Sequence, residues 1–177
     1  MSTSDGYARP SAPIVNTSTT TTAPDVLLIE DNPGDVRLTK EAFRDASFDA
    51  DLHVVTDGVE AMAFLHRDDE YESAPRPDIV LLDLNLPRKD GFEVLEAIRG
   101  DPALEQLPVV VLSSSEADED VRRSYEEHVN AYLTKPRAPD EFVEMVRTLE
   151  EFWFDRVELP PSDGNRDRDR DQDRDGG

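Results

Sequence analysis

The chain has 177 residues, no cysteine and a formal charge of −22, from 41 acidic and 19 basic residues. That length suits one domain with tails, the lack of cysteine excludes disulfides and thiolate metal sites, and so negative a body is expected to repel nucleic acid and anionic lipid. The ends contribute zero (1–24) and −2 (163–177), so −20 falls on residues 25–162.

Only Lys40, Lys89 and Lys135 accompany the arginines. Excess Asp and Glu with few lysines resembles proteins of a salt-loaded, halophilic cytoplasm, where counterions screen the repulsion. No apolar run approaches the roughly 20 residues of a membrane span, and the N-terminus has no apolar signal core. A cytoplasmic protein is expected.

Residues 1–24 are rich in Ser, Thr and Pro and are predicted to be disordered. The apolar run 26–29 predicts a buried strand that ends in Glu30-Asp31. Asn32-Pro-Gly-Asp35 is a turn into a helix with Val36, Leu38, Ala42 and Phe43 inward. Leu52, Val54 and Val55 make a less apolar strand, nearer a sheet edge, and Asp57-Gly58 opens a helix with Ala61, Met62, Phe64 and Leu65 inward. Arg67 to Pro77 is a polar loop. The run 79–82 has no polar alternation and reads as a strand buried on both faces, as in a parallel sheet; it ends in Asp83, and Pro87 and Gly91 close the turn that follows.

Phe92, Val94, Leu95 and Ile98 mark a third helix, stopped by Gly100-Asp-Pro102. The run 109–112 is a further buried strand ending in Ser113-Ser-Ser115, of which Ser114 and Ser115 read as loop. Glu116 to His128 is an acidic helix whose few apolar positions (Ala117, Val121, Tyr125) predict weak packing. Residues 131–134 form a fifth strand, closed by Lys135-Pro136. A last helix from about Pro139 carries Phe142, Val143, Met145, Val146, Leu149, Phe152 and Trp153. Phe152, Trp153 and Phe154 are consecutive and cannot all point inward, so an exposed aromatic remainder predicts a partner contact, favouring a homodimer. The Arg-Asp repeat beyond Pro161 predicts a second disordered tail. One domain over 25–159, flanked by disordered 1–24 and 160–177, follows. His53, His66 and His128 fall on different elements and are read as surface or boundary residues, not metal ligands.

Five strands alternating with five helices imply an α/β, doubly wound parallel sheet with helices on both faces. Ligands of such sheets bind beyond the carboxyl ends of the strands, and there Glu30-Asp31, Asp83, Ser113 and Lys135 should gather on one rim. Three carboxylates and one lysine leave −2, which raises pKa values or requires a cation. Oxygen donors without thiolate or imidazole suit Mg2+. Phosphoryl transfer needs an in-line oxygen nucleophile and cations on the equatorial oxygens. Asp83 can be that nucleophile, forming an acyl phosphate; Lys135 and Mg2+ can neutralise the phosphoryl oxygens, with Ser113 donating a hydrogen bond.

Glu30-Asp31, Asp83 within Leu82-Asp-Leu-Asn-Leu-Pro-Arg-Lys-Asp-Gly91, Ser113, Tyr132 and Lys135-Pro136, with Ser113 and Lys135 placed 30 and 52 residues after Asp83, carry a resemblance. Over roughly 25–157 the chain resembles the CheY-like receiver domains of two-component response regulators. Glu30-Asp-Asn-Pro-Gly-Asp-Val-Arg-Leu, the polar loop after the second helix and Glu151-Phe-Trp-Phe are similar to single-domain regulators paired with bacterial phytochromes and related histidine kinases. The resemblance implies a flavodoxin-like sheet of order 2-1-3-4-5. It implies that Asp83 takes phosphate from a sensor histidine kinase, and that Glu30, Asp31, Asp83 and the main-chain carbonyl of Asn85 hold Mg2+. Lys135 would contact the phosphate, and its bond to Pro136 would be cis. Ser113 and Tyr132 would be the switch, signalling through the fourth helix, fifth strand and last helix to a downstream protein. A phospho-acceptor that catalyses its own phosphorylation and dephosphorylation is expected, not a turnover enzyme. Glu replaces the commoner Asp at 30, and Ser114 is an alternative to Ser113. The alternative function is a Mg2+-dependent phosphatase with an aspartyl nucleophile, Asp83 and Asn85 compared with that family's Asp-x-Asp pair; it is weakened because the second acid is Asn and no cap segment is inserted. A DNA-binding regulator is not expected, since few residues follow the domain.

Overall fold

The computed structural model describes residues 23–154. The predicted tails 1–24 and 160–177 lie outside these residues, save Ala23 and Pro24, as does the boundary at 159. Strands β1 (Asp25–Ile29), β2 (Asp51–Val55), β3 (Ile79–Leu82), β4 (Val109–Ser113) and β5 (Ala131–Thr134) alternate with helices α1 (Pro33–Asp45), α2 (Gly58–His66), α3 (Gly91–Gly100), α4 (Asp118–Glu126) and α5 (Pro139–Leu149). The strands form one parallel sheet of order β2-β1-β3-β4-β5, as expected, with the less apolar β2 at an edge. The loop 67–77 contains one short 3-10 turn, Asp69–Tyr71.

Alternation along each strand divides the core. Leu27, Ile29, Val80, Leu82, Val109 and Val111 face α2 and α3 through Phe64, Leu65, Val94, Leu95 and Ile98. Val26, Leu28, Ile79, Leu81, Val110 and Leu112 face α1 and α5 through Ala42, Phe43, Phe142 and Val146. Period-two side chains in strands flanked by helices need apolar residues at every position, which is why these strands read as uninterrupted apolar runs. Full burial of each Leu or Ile contributes roughly 1.5–3 kcal/mol.

Helix starts are set by side chains. Asn32 caps α1, Asp57 caps α2, and Asp90 with Glu93 forms a capping box on α3. The start of α4 lacks such a cap: its N-cap residue is Ala117. The packing of α4 is weak, as expected, but its inward face differs. Ser124 is its one buried residue, whereas Tyr125 is 53 % exposed. Val121 and Ser124, three apart, share a stripe in which Ser124 is buried, and Tyr125, four residues from Val121, lies at its exposed edge. The Ser124 hydroxyl donates to the Asp120 carbonyl (2.8 Å), so its burial leaves no unpaired polar atom. Beyond the other end of α4, the Arg99 guanidinium joins two loops: it donates to the His128 carbonyl (3.0 Å) and Asn130 Oδ1 (3.0 Å) after α4, and to the carbonyls of Glu105 (2.9 Å) and Leu107 (2.8 Å) before β4.

After α5 the chain widens into a π-helical turn, Glu150–Phe154, where the sequence predicted a continuing α-helix. Phe152 points outward, 54 % exposed, while Trp153 packs on the α1/α5 side of the core. Their rings meet edge to face, 5.4 Å apart. Among the described residues no helix is long and apolar enough to cross a membrane.

Candidate functional site

The sheet ladder continues one residue past several strands and aims the site residues. The N–H of Glu30 donates to the Val55 carbonyl (3.0 Å), that of Asp83 to the Ile29 carbonyl (3.0 Å), and that of Lys135 to the Ser113 carbonyl (2.8 Å). Four polar residues thus stand at the carboxyl rim of β1, β3, β4 and β5. Glu30 and Asp83 are buried, Asp31 is exposed, and carboxylate oxygens of all three lie within 4.8 Å of one another.

Lys135 closes the cluster. Its Nζ lies 2.5 Å from Glu30 Oε2, 2.9 Å from Asp35 Oδ2 and 3.0 Å from Asp83 Oδ2. Glu30 and Asp83 were expected; Asp35 was not. An acid in the first turn of a helix reads from sequence as a partner of the helix dipole, and nothing in its spacing announces a lysine 100 residues away. Its placement follows from the cap: Asn32 Oδ1 accepts from the N–H groups of Gly34 (2.9 Å) and Asp35 (3.1 Å), which turns Asp35 toward the rim. Asn32 also donates its own N–H to Glu30 Oε1 (3.1 Å).

The loop after β3 is fitted closely to its neighbours. Asp83 Oδ1 accepts the N–H of Asn85 (3.1 Å), which sets the Asn85 backbone beside the carboxylate. A Cβ on Gly91 would lie 2.5 Å from the Asp83 carbonyl oxygen, and one on Gly58 would lie 2.0 Å from that of Lys89. Neither position has room for a side chain. Arg88 reaches Asp57, the α2 cap, at 3.2 Å.

Burial pushes the Glu30 carboxyl up to about 7; Lys135 opposes this and Asp83 reinforces it. Burial also pulls on Lys135 in the direction of deprotonation, but its bonds to Glu30, Asp35 and Asp83 outweigh that and hold it above the ordinary lysine value. Four carboxylates around one ammonium leave a strong negative excess. Oxygen donors only, two of them buried and crowded within reach of one another, fit a hard divalent cation such as Mg2+.

Ser113 is fully buried, and its Oγ accepts the N–H of Ser115 (3.2 Å). Ser115, read from sequence as plain loop, is a junction. Its carbonyl accepts the Tyr132 hydroxyl (2.7 Å), its Oγ donates to Asp120 Oδ2 (2.6 Å), and the same Oγ accepts the Ala117 N–H (3.3 Å). Three consecutive serines hide such a role, because each can bond to nearby backbone. The Lys135–Pro136 bond is trans, correcting the expected cis form; the tertiary amide separates the two isomers by only about 0.5–1 kcal/mol, so sequence alone does not fix the choice. The histidines stand apart from the acids of the rim: His53 bonds Asp25 (2.8 Å) and His66 bonds Asp101 (2.9 Å).

A family model described as the response regulator receiver domain matches residues 26–147. Response regulator Rcp1 of Synechocystis sp. is 49% identical over 135 residues, covering 76% of this chain and 92% of that protein. The crystal structure of the Mn(2+)-bound form of Rcp1 aligns with TM-score 0.72 and 48% identity, covering 78% of this chain and 99% of that one. The phosphorylated cyanobacterial phytochrome response regulator RcpA aligns with TM-score 0.74 and 45% identity over the same shares. With this sheet order and a rim of acids closed by a lysine, the chain belongs to the response regulator receiver domain family.

Proposed function

We propose that Asp83 is the phosphoryl acceptor of this receiver domain, that a sensor histidine kinase is the donor, and that the signal leaves through protein contact. The observation that carries the reading is the Lys135 ammonium, 3.0 Å from Oδ2 of the buried Asp83 at the sheet's carboxyl rim. Glu30, Asp31 and Asp83, with the Asn85 carbonyl, would hold Mg2+, which supplies positive charge to the phosphoryl oxygens. Asp83 presents its oxygen as nucleophile. Lys135 holds that carboxylate in place and offers an N–H to a phosphoryl oxygen. A phosphoryl group adds a charge of about −2. Ser113, the buried hydroxyl at the end of β4, turns toward it and gives up its bond to the Ser115 N–H. Because Ser115 also holds Tyr132 and Asp120, that exchange reaches α4 and β5 and shifts a population between two packings.

The exposed Phe152 supports a homodimer contact at the end of α5. A single domain over 25–159 and a cytoplasmic location belong to the same reading. The phosphatase alternative gains nothing, since Asn85 stands where that mechanism needs a second acid.

Mass spectrometry after treatment with acetyl phosphate and Mg2+ tests the acceptor. One phosphoryl group on the wild type and none on Asp83→Asn is the expected result; equal labelling of both forms removes Asp83 from its role.

A further inference from the structure

We propose that Asp35 is a positioning residue for the acceptor site: it holds Lys135 before phosphoryl transfer and competes with the incoming phosphoryl group for the same ammonium. The inference rests on the reading of Asp83 as acceptor and extends it to a residue outside the acid pair and the switch.

A lysine ammonium has three donors, and here Glu30, Asp35 and Asp83 occupy all three. A new bond to a phosphoryl oxygen therefore requires that one carboxylate let go. Asp83 carries the phosphoryl group, so it stays within reach of Lys135. Glu30 is buried and is held on its other oxygen by the Asn32 N–H. The Asp35 side chain is 29 % exposed, at the open side of the cluster. Of the three carboxylates it can exchange Lys135 for water at the smallest loss.

Its backbone does not have to follow. The Asn32 side chain holds the Asp35 N–H, and Thr39 Oγ1 donates to the Asp35 carbonyl (2.8 Å). The exchange is thus a rotation of one short side chain. Until it occurs, a negative charge stands beside the path of an anionic donor, and like charges repel over this range. In the transfer from acetyl phosphate, an Asp83 carboxylate oxygen bonds to phosphorus while the phosphorus–oxygen bond to acetate breaks. Acetate leaves with the electron pair, no proton moves, and Lys135 passes from Asp35 to a phosphoryl oxygen.

Labelling rates in Mg2+ with acetyl phosphate, a dianion at neutral pH, and with phosphoramidate, a monoanion, test the proposal on wild type, Asp35→Asn and Asp35→Glu. Asp35→Asn should label about fivefold faster with acetyl phosphate, the effect of removing one partly exposed charge. The gain should be smaller with phosphoramidate and should shrink as salt rises. Asp35→Glu keeps the charge and should stay within about twofold of wild type. Labelling of Asp35→Asn at or below the wild-type rate, or a gain equal for both donors and indifferent to salt, overturns the proposal. So does a loss of Mg2+ affinity beyond about tenfold measured by calorimetry, which would make Asp35 a metal ligand. If Asp35→Asn melts below the assay temperature, Asp35→Ser replaces it with the same expected results. Absence of label on the wild type, or label on Asp83→Asn, counts against Asp83 as acceptor; a labelled wild type with no faster Asp35→Asn counts against Asp35 alone.

Discussion

Tyr132 donates its hydroxyl to the main-chain carbonyl of Ser115 at 2.7 Å, tying β5 to the loop that follows β4. The ring packs on the α2/α3 side of the core, so hydroxyl and ring have separable roles. Tyr132→Phe keeps the packing and removes the bond. It should lower unfolding free energy by about 1 kcal/mol in urea titrations while leaving the acetyl phosphate labelling rate within about twofold of wild type. A large drop in labelling would place the tyrosine in the chemistry and not in the read-out.

Removing the ammonium should be costly in the apo protein. In Lys135→Met, Glu30 and Asp83 lose their shared partner inside a buried cluster, and breaking a buried pair costs about 3–5 kcal/mol. Urea unfolding at neutral pH should show a loss of that order. Added Mg2+ should return part of it, because the divalent charge replaces the missing one.

Glu30 sets a pH dependence with a definite sign. Its carboxyl titrates near 7 in the folded protein against 4.5 ordinarily, because burial disfavours its charged form. The folded state therefore holds a proton on Glu30 between those values while the unfolded state does not, and this group's contribution to stability falls as pH rises from 4.5 to 7 in the absence of metal. Binding Mg2+ requires the carboxylate. Affinity should weaken by up to about tenfold per unit below pH 7, with one proton released per ion. Calorimetry in two buffers of different ionisation enthalpy reads both quantities, and Glu30→Gln should flatten the profile.

Gly91 offers a purely steric test. A methyl group there would meet the Asp83 carbonyl oxygen and the Leu84 Cα, both at 2.5 Å. The backbone has to shift, at about 1–3 kcal/mol, and what shifts is the turn carrying Asp83. Gly91→Ala should thus lose both stability and labelling rate, whereas Gly100→Ala, whose new Cβ would meet nothing within 4 Å, should lose neither.

Much of this was legible in the chain itself. Parallel strands buried on both faces leave apolar runs, and the polar residue that ends each run marks the rim, so Glu30, Asp83, Ser113 and Lys135 could be placed before any coordinates. The unread features depend on side-chain aim within a turn. Asp35 points at Lys135 because Asn32 caps α1, Ser115 differs from its two neighbours in the groups it meets, the Tyr132 hydroxyl and the Asp120 carboxylate among them, and Tyr125 lies outward at the edge of the α4 stripe. Phe142, Val146, Leu149 and Trp153 keep the 4-3-4 spacing of one helical stripe, so an inward Trp153 beside an outward Phe152 was legible; the widening of the last turn was not.

Arg99 knits the loop after α4 to the loop before β4 through four hydrogen bonds, while the start of α4 is moored by one hydroxyl, Ser115 Oγ, which meets the Ala117 N–H and Asp120 Oδ2. A rod released at one end swings instead of sliding. Nine residues make a helix of about 13 Å, so if those Ser115 bonds part, a tilt near 10° would sweep that end through about 2 Å and leave the far end almost still. The end that would travel bears Asp118, Glu119 and Asp120: loss of one serine's grip would be geared up into a displacement of three negative charges on the molecular surface.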